Sequence, residues 1–237
     1  MTLFYAPDIS TVHFLPEEET QHAMRVMRLT EGDEITVTDG KGFFYRCIIV
    51  RPHGRQCEVT VAGRWRPDLS RHFRIHIAVA PTKSMERMEW FVEKATEIGI
   101  DTITCLNCRF SERREIKTAR LEKILVSAIK QSQKALLPDL YAMTGFRTFV
   151  DRPREGQKFI AHCDADPQTQ LLQHVCRAGE DVTILIGPEG DFSKDETAFA
   201  EQHGFVPVSL GESRLRTETA ALAACHTFHL LSSFSVR

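Results

Sequence analysis

The chain has 237 residues, 42% hydrophobic and 26% charged, with a formal net charge of −2. That composition fits a soluble globular protein of one large or two modest domains. It excludes a membrane-spanning helix, because no run approaches the ~18 apolar residues such a span needs, and it does not by itself mark a nucleic-acid binder.

Residues 1–70 read as a β-rich domain. Short apolar runs at 11–15, 34–38, 42–50 and 57–61 are separated by turn signals, and Asp39-Gly40 favours a hairpin between two of them. One helix is expected over 17–29, with His22, Arg25 and Arg28 recurring on one face. Many short strands joined by turns suggest a small barrel. The polar, Pro-punctuated stretch 64–70 is the best domain boundary.

From Phe73 the period changes. A buried strand is expected over 73–80, stopped by Pro81, then a helix through Met88, Phe91, Val92, Ala95 and Ile98 that ends at Gly99. A strand over 101–106, a helix through Leu121, Leu125 and Ile129, a strand over 159–163 and a helix over 169–177 follow. Strands alternating with helices predict an α/β domain with a mainly parallel sheet over 71–237. An alanine- and leucine-rich helix, 218–231, closes it.

The cysteines and charges add less. There are seven cysteines without framework spacing, and the chain opens without a basic region and apolar stretch, so reduced thiols and a cytoplasmic location are expected. Cys105 and Cys108 form a C-x-x-C with no second pair, which favours buried thiols; no metal site is expected. Residues 41–71 hold seven Lys or Arg against Glu58 and Asp68, and residues 109–134 hold eight against Glu112, Glu115 and Glu122. Each stretch is either a phosphate-facing surface or a solvated face.

The most informative stretches are 182–192 and 208–220. Each is a short Val/Ile/Leu run that stops at glycine and leads into a helical pattern, as a strand buried on both faces would. Ser193-x-x-Glu196 has the form of a capping box. Two consecutive strand–glycine loop–helix units build a crevice at the carboxyl ends of parallel strands. The spacing of Gly187 and Gly190 is not the dinucleotide fingerprint, and no G-K-[ST] or G-x-S-x-G is present. The residues alone therefore give a backbone-lined pocket for a small nucleotide-like ligand.

Ile186-Gly187-Pro188-Glu189-Gly190, Leu210-Gly211 and Leu215-Arg216-Thr217-Glu218-Thr219-Ala220 resemble the SPOUT RNA methyltransferases. They are closest to the bacterial family that methylates the N3 atom of a uridine in 16S ribosomal RNA of the small subunit. His22-x-x-Arg25-Val26-Met27-Arg28, Gly32-Asp33 and Asp39-Gly40 resemble that family's N-terminal PUA-like RNA-binding domain. The resemblance implies a PUA-like β-barrel over 1–70 and a SPOUT domain over 71–237 containing a deep trefoil knot, a rare topology. It further implies S-adenosylmethionine as cofactor, ribosomal RNA or the small subunit as partner, and a homodimer.

Carried residue by residue, it places cofactor contacts at His162, Ile186, Gly187, Glu189, Gly190, Leu210, Gly211, Ser213, Leu215, Thr219 and Ala220. RNA contacts fall at His22, Arg25, Arg28, Lys83, Arg87 and Lys134. Asp191, Ser213, Arg214 and Lys134 depart from the family pattern, Asp191 standing where a second glycine is usual. For N3 methylation a cation near the uracil oxygens would stabilise the developing anion. Arg216 is the candidate for that role, with Glu218 to orient it or accept the proton. Two rivals are a non-catalytic RNA-binding protein of ribosome assembly and another nucleotide-using α/β enzyme.

Overall fold

The computed structural model describes residues 2–53, 56–67, 73–163 and 169–233. The chain divides into two compact units: Met1–Leu69 with Val126–Leu137, and Ser70–Leu125 with Pro138–Arg237.

The first unit is built on a five-stranded sheet of order β1-β3-β4-β5-β2. Its strands are β1 Leu3–Tyr5, β2 Phe14–Leu15, β3 Glu34–Thr38, β4 Phe44–His53 and β5 Gln56–Trp65. The expected hairpin joins β3 to β4, antiparallel, with Thr38 opposite Phe44. Asp39 closes that turn by accepting from the Lys41 and Phe43 amides at 2.7 and 3.1 Å. Register shifts at Arg46/Cys47 and Ile49/Arg51 mark bulges between β4 and β5, which bend and twist strands locally. Phe4, Ile9, Leu15, Ile35, Val37, Tyr45 and Ile49 form the core beneath.

The helix expected over 17–29 is shorter and irregular. An α-helix, α1 Glu17–Gln21, widens into a π turn, His22–Val26, and ends there. The Met27 amide reaches back to His22 O and the Leu29 amide to Ala23 O, both at 3.0 Å. Arg28 then takes a left-handed φ of 55°, the C-terminal position glycine usually fills. Arg28 is thus beyond the helix, and helical spacing does not put it on one face with His22 and Arg25. His22 packs its ring 5.6 Å from that of Phe4, while Arg25 and Arg28 are exposed.

Residues Val126–Leu137 lie far from this unit in sequence but group with it. Ala135 O accepts from the Gly42 amide at 3.0 Å and from Thr38 Oγ1 at 3.2 Å. Lys130 Nζ lies 2.5 Å from Glu19 Oε1, with both side chains largely out of solvent.

The second unit carries a six-stranded parallel sheet of order β11-β9-β10-β6-β7-β8. The strands are β6 Ile75–Val79, β7 Thr102–Asn107, β8 Asp139–Gly145, β9 Gln157–Ala161, β10 Val182–Ile186 and β11 Val206–Val208. The helices after α1 are α2 Met85–Ile98, α3 Thr118–Gln131, α4 Phe146–Val150, α5 Leu172–Val175, α6 Lys194–Gln202 and α7 Thr217–Ser233. β10 is buried at every position, as its unbroken apolar run predicts for a central parallel strand.

Side chains alternate across this sheet. Ala78, Leu106, Ile160 and Leu185 join Phe146, Phe149 and Phe192 in one core cluster. On the other face α7 packs against β6, β10 and α2, with Phe228 stacked 6.1 Å from Phe159. The expected helix over 169–177 is only the single turn α5, Leu172–Val175. β8 and α4 were not expected. β8 is an edge strand with no buried position, so it lacks the apolar pattern that would announce it.

Candidate active site

Strand register builds the site. Ile186 of β10 pairs with Ala161 of β9, which pairs with Val208 of β11. These are the last paired residues of three parallel strands, so the loops that follow emerge side by side. The two glycine loops do not belong to adjacent strands, as two consecutive units would suggest. β9 lies between them and contributes a third loop.

The three loops enclose a cavity of about 960 Å³ lined by 161–163, 186–194, 208–217 and Ala220, with Phe110 from the loop after β7. All of the lining belongs to the second unit. The cavity is also large enough for a nucleoside-sized ligand, within the usual ~300–1,000 Å³ of such sites.

Three ties fix its walls. Thr217 Oγ1, buried at the start of α7, donates to Gly187 O at 3.1 Å. Glu189 Oε1 accepts from the Lys83 amide at 2.9 Å. Asp191, at φ 62°, accepts from the Phe192 amide with Oδ1 and the Cys163 amide with Oδ2, each at 2.7 Å. The third tie explains the departure at Asp191. The turn demands a left-handed residue, which glycine adopts freely and aspartate tolerates. In return the carboxylate joins the β9 and β10 loops.

Gly211 has φ 126°, a region L side chains rarely enter, and a Cβ there would meet nothing within 4 Å. Its bare backbone therefore borders open space. Ser209 Oγ accepts from the Gly211 amide at 3.2 Å and holds this loop.

Of the expected cofactor residues, His162, Ile186, Gly187, Glu189, Gly190, Leu210, Gly211, Ser213, Leu215 and Ala220 all line the cavity, and so does Arg216. Thr219 and Glu218 are not in the lining. Thr219 is exposed; Glu218 is buried, 3.7 Å from Arg87 Nε of α2. Lys83 Nζ is 2.8 Å from Glu112 Oε2, an exposed pair. Lys134 is half-buried in the first unit, with Arg25 and Arg28.

The expected capping box is present. Ser193 Oγ accepts from the Glu196 amide at 3.4 Å, and Glu196 Oε2 accepts from the Ser193 amide at 2.9 Å. Its second task was not legible: Glu196 Oε1 accepts from the Arg109 amide at 2.8 Å and secures the loop that carries Phe110. Cys105 and Cys108 are buried, and burial pushes the Cys105 thiol up to about 12 and raises Cys108 further. Among the described residues no cluster of three or more His, Cys, Asp or Glu could hold a metal ion. No described helix is long and apolar enough to cross a membrane.

A family model described as an RNA methyltransferase domain matches residues 70–229, most of the chain. The chain belongs to the RNA methyltransferase family. A second model, an RNA methyltransferase PUA domain, matches residues 15–62. A solved structure from Porphyromonas gingivalis, described as a probable rRNA-methyltransferase, is 44% identical. It superposes with a TM-score of 0.94 over 99% of this chain and 100% of its own. The ribosomal RNA small subunit methyltransferase E of Neisseria gonorrhoeae, solved bound to S-adenosyl methionine, is 27% identical with a TM-score of 0.86 over 98% of each chain. The Mycobacterium bovis protein of the same name is 29% identical over 98% of this chain and 92% of its own. These likenesses extend over both the PUA-like and the α/β parts of this methyltransferase.

Proposed function

We propose that this protein transfers a methyl group from S-adenosylmethionine to the N3 atom of a uridine in 16S ribosomal RNA. The observation that carries the reading is the cavity where three strand-end loops, 161–163, 186–194 and 208–217, meet with glycine backbone in its walls. The family match, the similar protein bound to S-adenosyl methionine, and the small-subunit names of relatives support the cofactor and RNA class. N3 and uridine come from the motif resemblance, as does the trefoil knot.

The cavity's chemistry suits that cofactor. When bound, S-adenosylmethionine supplies an electrophilic methyl on a cationic sulfur. Backbone groups of Ile186–Gly190 and Leu210–Leu215 would hold and orient it, and Gly211 leaves the space a side chain would fill. Arg216, exposed at the cavity wall, would face the uracil oxygens and stabilise charge as N3 loses its proton. Since there is no covalent protein intermediate, positioning carries most of the rate.

Glu218, expected to orient Arg216 or accept the proton, lies outside the cavity lining and beside Arg87, so it would act as a positioning residue at the start of α7. The first unit, with His22, Arg25, Arg28 and Lys134, would bind RNA phosphates. The protein works in the cytoplasm as a homodimer. Trp90 on α2 and Leu230 on α7, 43% and 41% exposed on two helices that pack together, supply apolar surface for the second copy.

Calorimetry tests the reading. The full-length protein should bind S-adenosylmethionine, and Gly211→Val should lose that binding while its far-ultraviolet circular dichroism is unchanged. Equal affinity of a folded Gly211→Val would remove this loop from the site.

A further inference from the structure

Phe110 is an aromatic side chain left open at the rim of the cavity between the strand-end loops. It is 48% exposed although it follows a buried strand and loop, with Leu106 and Cys108 fully enclosed. Leaving a phenyl ring open forgoes much of the stabilisation its burial would give. Its position is nevertheless tightly held. The Cys108 amide donates to Ser111 Oγ at 3.0 Å, and the Ser111 amide returns to Cys108 O at 3.1 Å. The Arg109 amide is anchored on buried Glu196. On its other side the residue leans on bare backbone: a Cβ at Gly190 would come within 3.1 Å of the Phe110 Cβ. Gly190 thus lets the ring's own stem sit against the cofactor loop. The Arg109 guanidinium lies 5.8 Å from the ring centroid and 3.6 Å from Asp195.

A rigidly mounted, half-open ring beside a methyl-transfer cavity suits a flat, unpaired base. A uracil that reacts at N3 cannot be paired, since N3 is on its pairing edge, so it must be presented out of any stack. Every base has a π face, and stacking on an aromatic ring replaces the neighbours it leaves. We infer that Phe110 is the platform on which the target uracil stacks, a substrate-positioning residue that touches the base. This rests on the proposed uridine reading. The neighbouring Arg109 adds a cation beside the ring, where it can meet the phosphate of the extruded nucleotide.

The test uses small ribosomal subunits from cells lacking this protein, labelled S-adenosylmethionine, and full-length Phe110→Leu, Phe110→Tyr and Phe110→Trp. Leucine keeps apolar bulk but removes the π face. Phe110→Leu should raise the subunit concentration for half-maximal single-turnover rate by roughly five- to a hundredfold, the usual range for one base–aromatic stack. Tyrosine and tryptophan should restore it to within about threefold. The cofactor dissociation constant, read by calorimetry, should change less than about twofold in all three. Tryptophan emission of Phe110→Trp should also be quenched by the subunits.

A Phe110→Leu protein with wild-type half-saturation overturns the inference. So does a loss that follows weakened cofactor binding, or one that tyrosine and tryptophan fail to rescue in folded protein. Failure of the wild-type protein to methylate the subunits would instead overturn the proposed function.

Discussion

Arg87 Nε stands 3.7 Å from Glu218 Oε1, joining the first turns of α2 and α7. The carboxylate is 8% exposed and the guanidinium 42%. The second oxygen, Glu218 Oε2, is buried and has no hydrogen-bond partner among the described residues. An unsatisfied buried oxygen costs about 1–3 kcal/mol, partly offset by the positive end of α7. Such a residue is expensive for a purely structural role. Glu218→Gln should therefore stay folded, within about 1 kcal/mol of wild type in urea unfolding, while single-turnover methylation falls at least tenfold. Arg87→Ala should destabilise more than Glu218→Gln, because it strips the charge from its partner. A Glu218→Gln protein that methylates at the wild-type rate removes this carboxylate from the chemistry.

Asp191 gives a prediction about backbone. Its left-handed φ of 62° disfavours alanine, whereas glycine is at ease there. Asp191→Gly and Asp191→Ala lose the same two carboxylate bonds, to the Cys163 and Phe192 amides. Asp191→Ala should therefore be less stable than Asp191→Gly by about 1 kcal/mol. Both should bind S-adenosylmethionine more weakly than wild type, since the β9 and β10 loops are no longer joined. Equal urea midpoints for the two variants would contradict this account of the turn.

His76 predicts a pH dependence. It is half-buried in β6, with Nε2 2.8 Å from Thr104 Oγ1 and its ring edge-on to Phe149 at 5.4 Å. Burial, with Arg154 adding to it, pushes its pKa down to about 4 from the ordinary 6.5. Between those values the unfolded chain binds a proton that the native protein refuses, so stability falls as pH drops from 6.5 toward 4. The loss attributable to His76 is about 3 kcal/mol across that window. Equilibrium unfolding at stepped pH should show a shallower acid decline in His76→Gln. Parallel curves for the two proteins would mean His76 is not the group responsible.

The arginines of the first unit predict a salt effect. Arg25 and Arg28 are exposed, although Arg28 lies past the π turn rather than on the helix. If both meet phosphates, the double alanine variant should bind RNA less tightly and lose at most about two units of slope in log affinity against log salt. Turnover at saturating RNA should hardly move. A loss of single-turnover rate at saturation would place these arginines in the chemistry instead.

What the residues announced, and what they hid, follows from how local each signal is. The buried run 182–186 and the Ser193–Glu196 capping box are local patterns, and both stand as expected. The Asp39-Gly40 hairpin is equally local. The insertion of β9 between β10 and β11 is a matter of strand order, which no neighbouring residue encodes. The π turn at His22–Val26 differs from an α-helix by one residue in its hydrogen-bond spacing, a difference too small for side-chain spacing to reveal. At the site, glycine spacing exposed the two loops. Phe110 stayed hidden because it sits in a stretch dominated by charge, and its exposure depends on Glu196, distant in sequence. The pairing of Glu218 with Arg87 rather than a neighbour on its own loop is likewise a tertiary fact.

The most direct measurement is nucleoside mass spectrometry. Unmethylated small subunits would be incubated with the full-length protein and S-adenosylmethionine carrying a deuterated methyl, and the ribosomal RNA digested. The account predicts one new nucleoside, uridine bearing the labelled methyl at N3. Arg216→Ala should form it on the order of a hundredfold more slowly in single turnover, the cost of losing one preorganised charge-stabilising donor. Label appearing on another atom or base, or no label at all with protein that binds the cofactor, would contradict it.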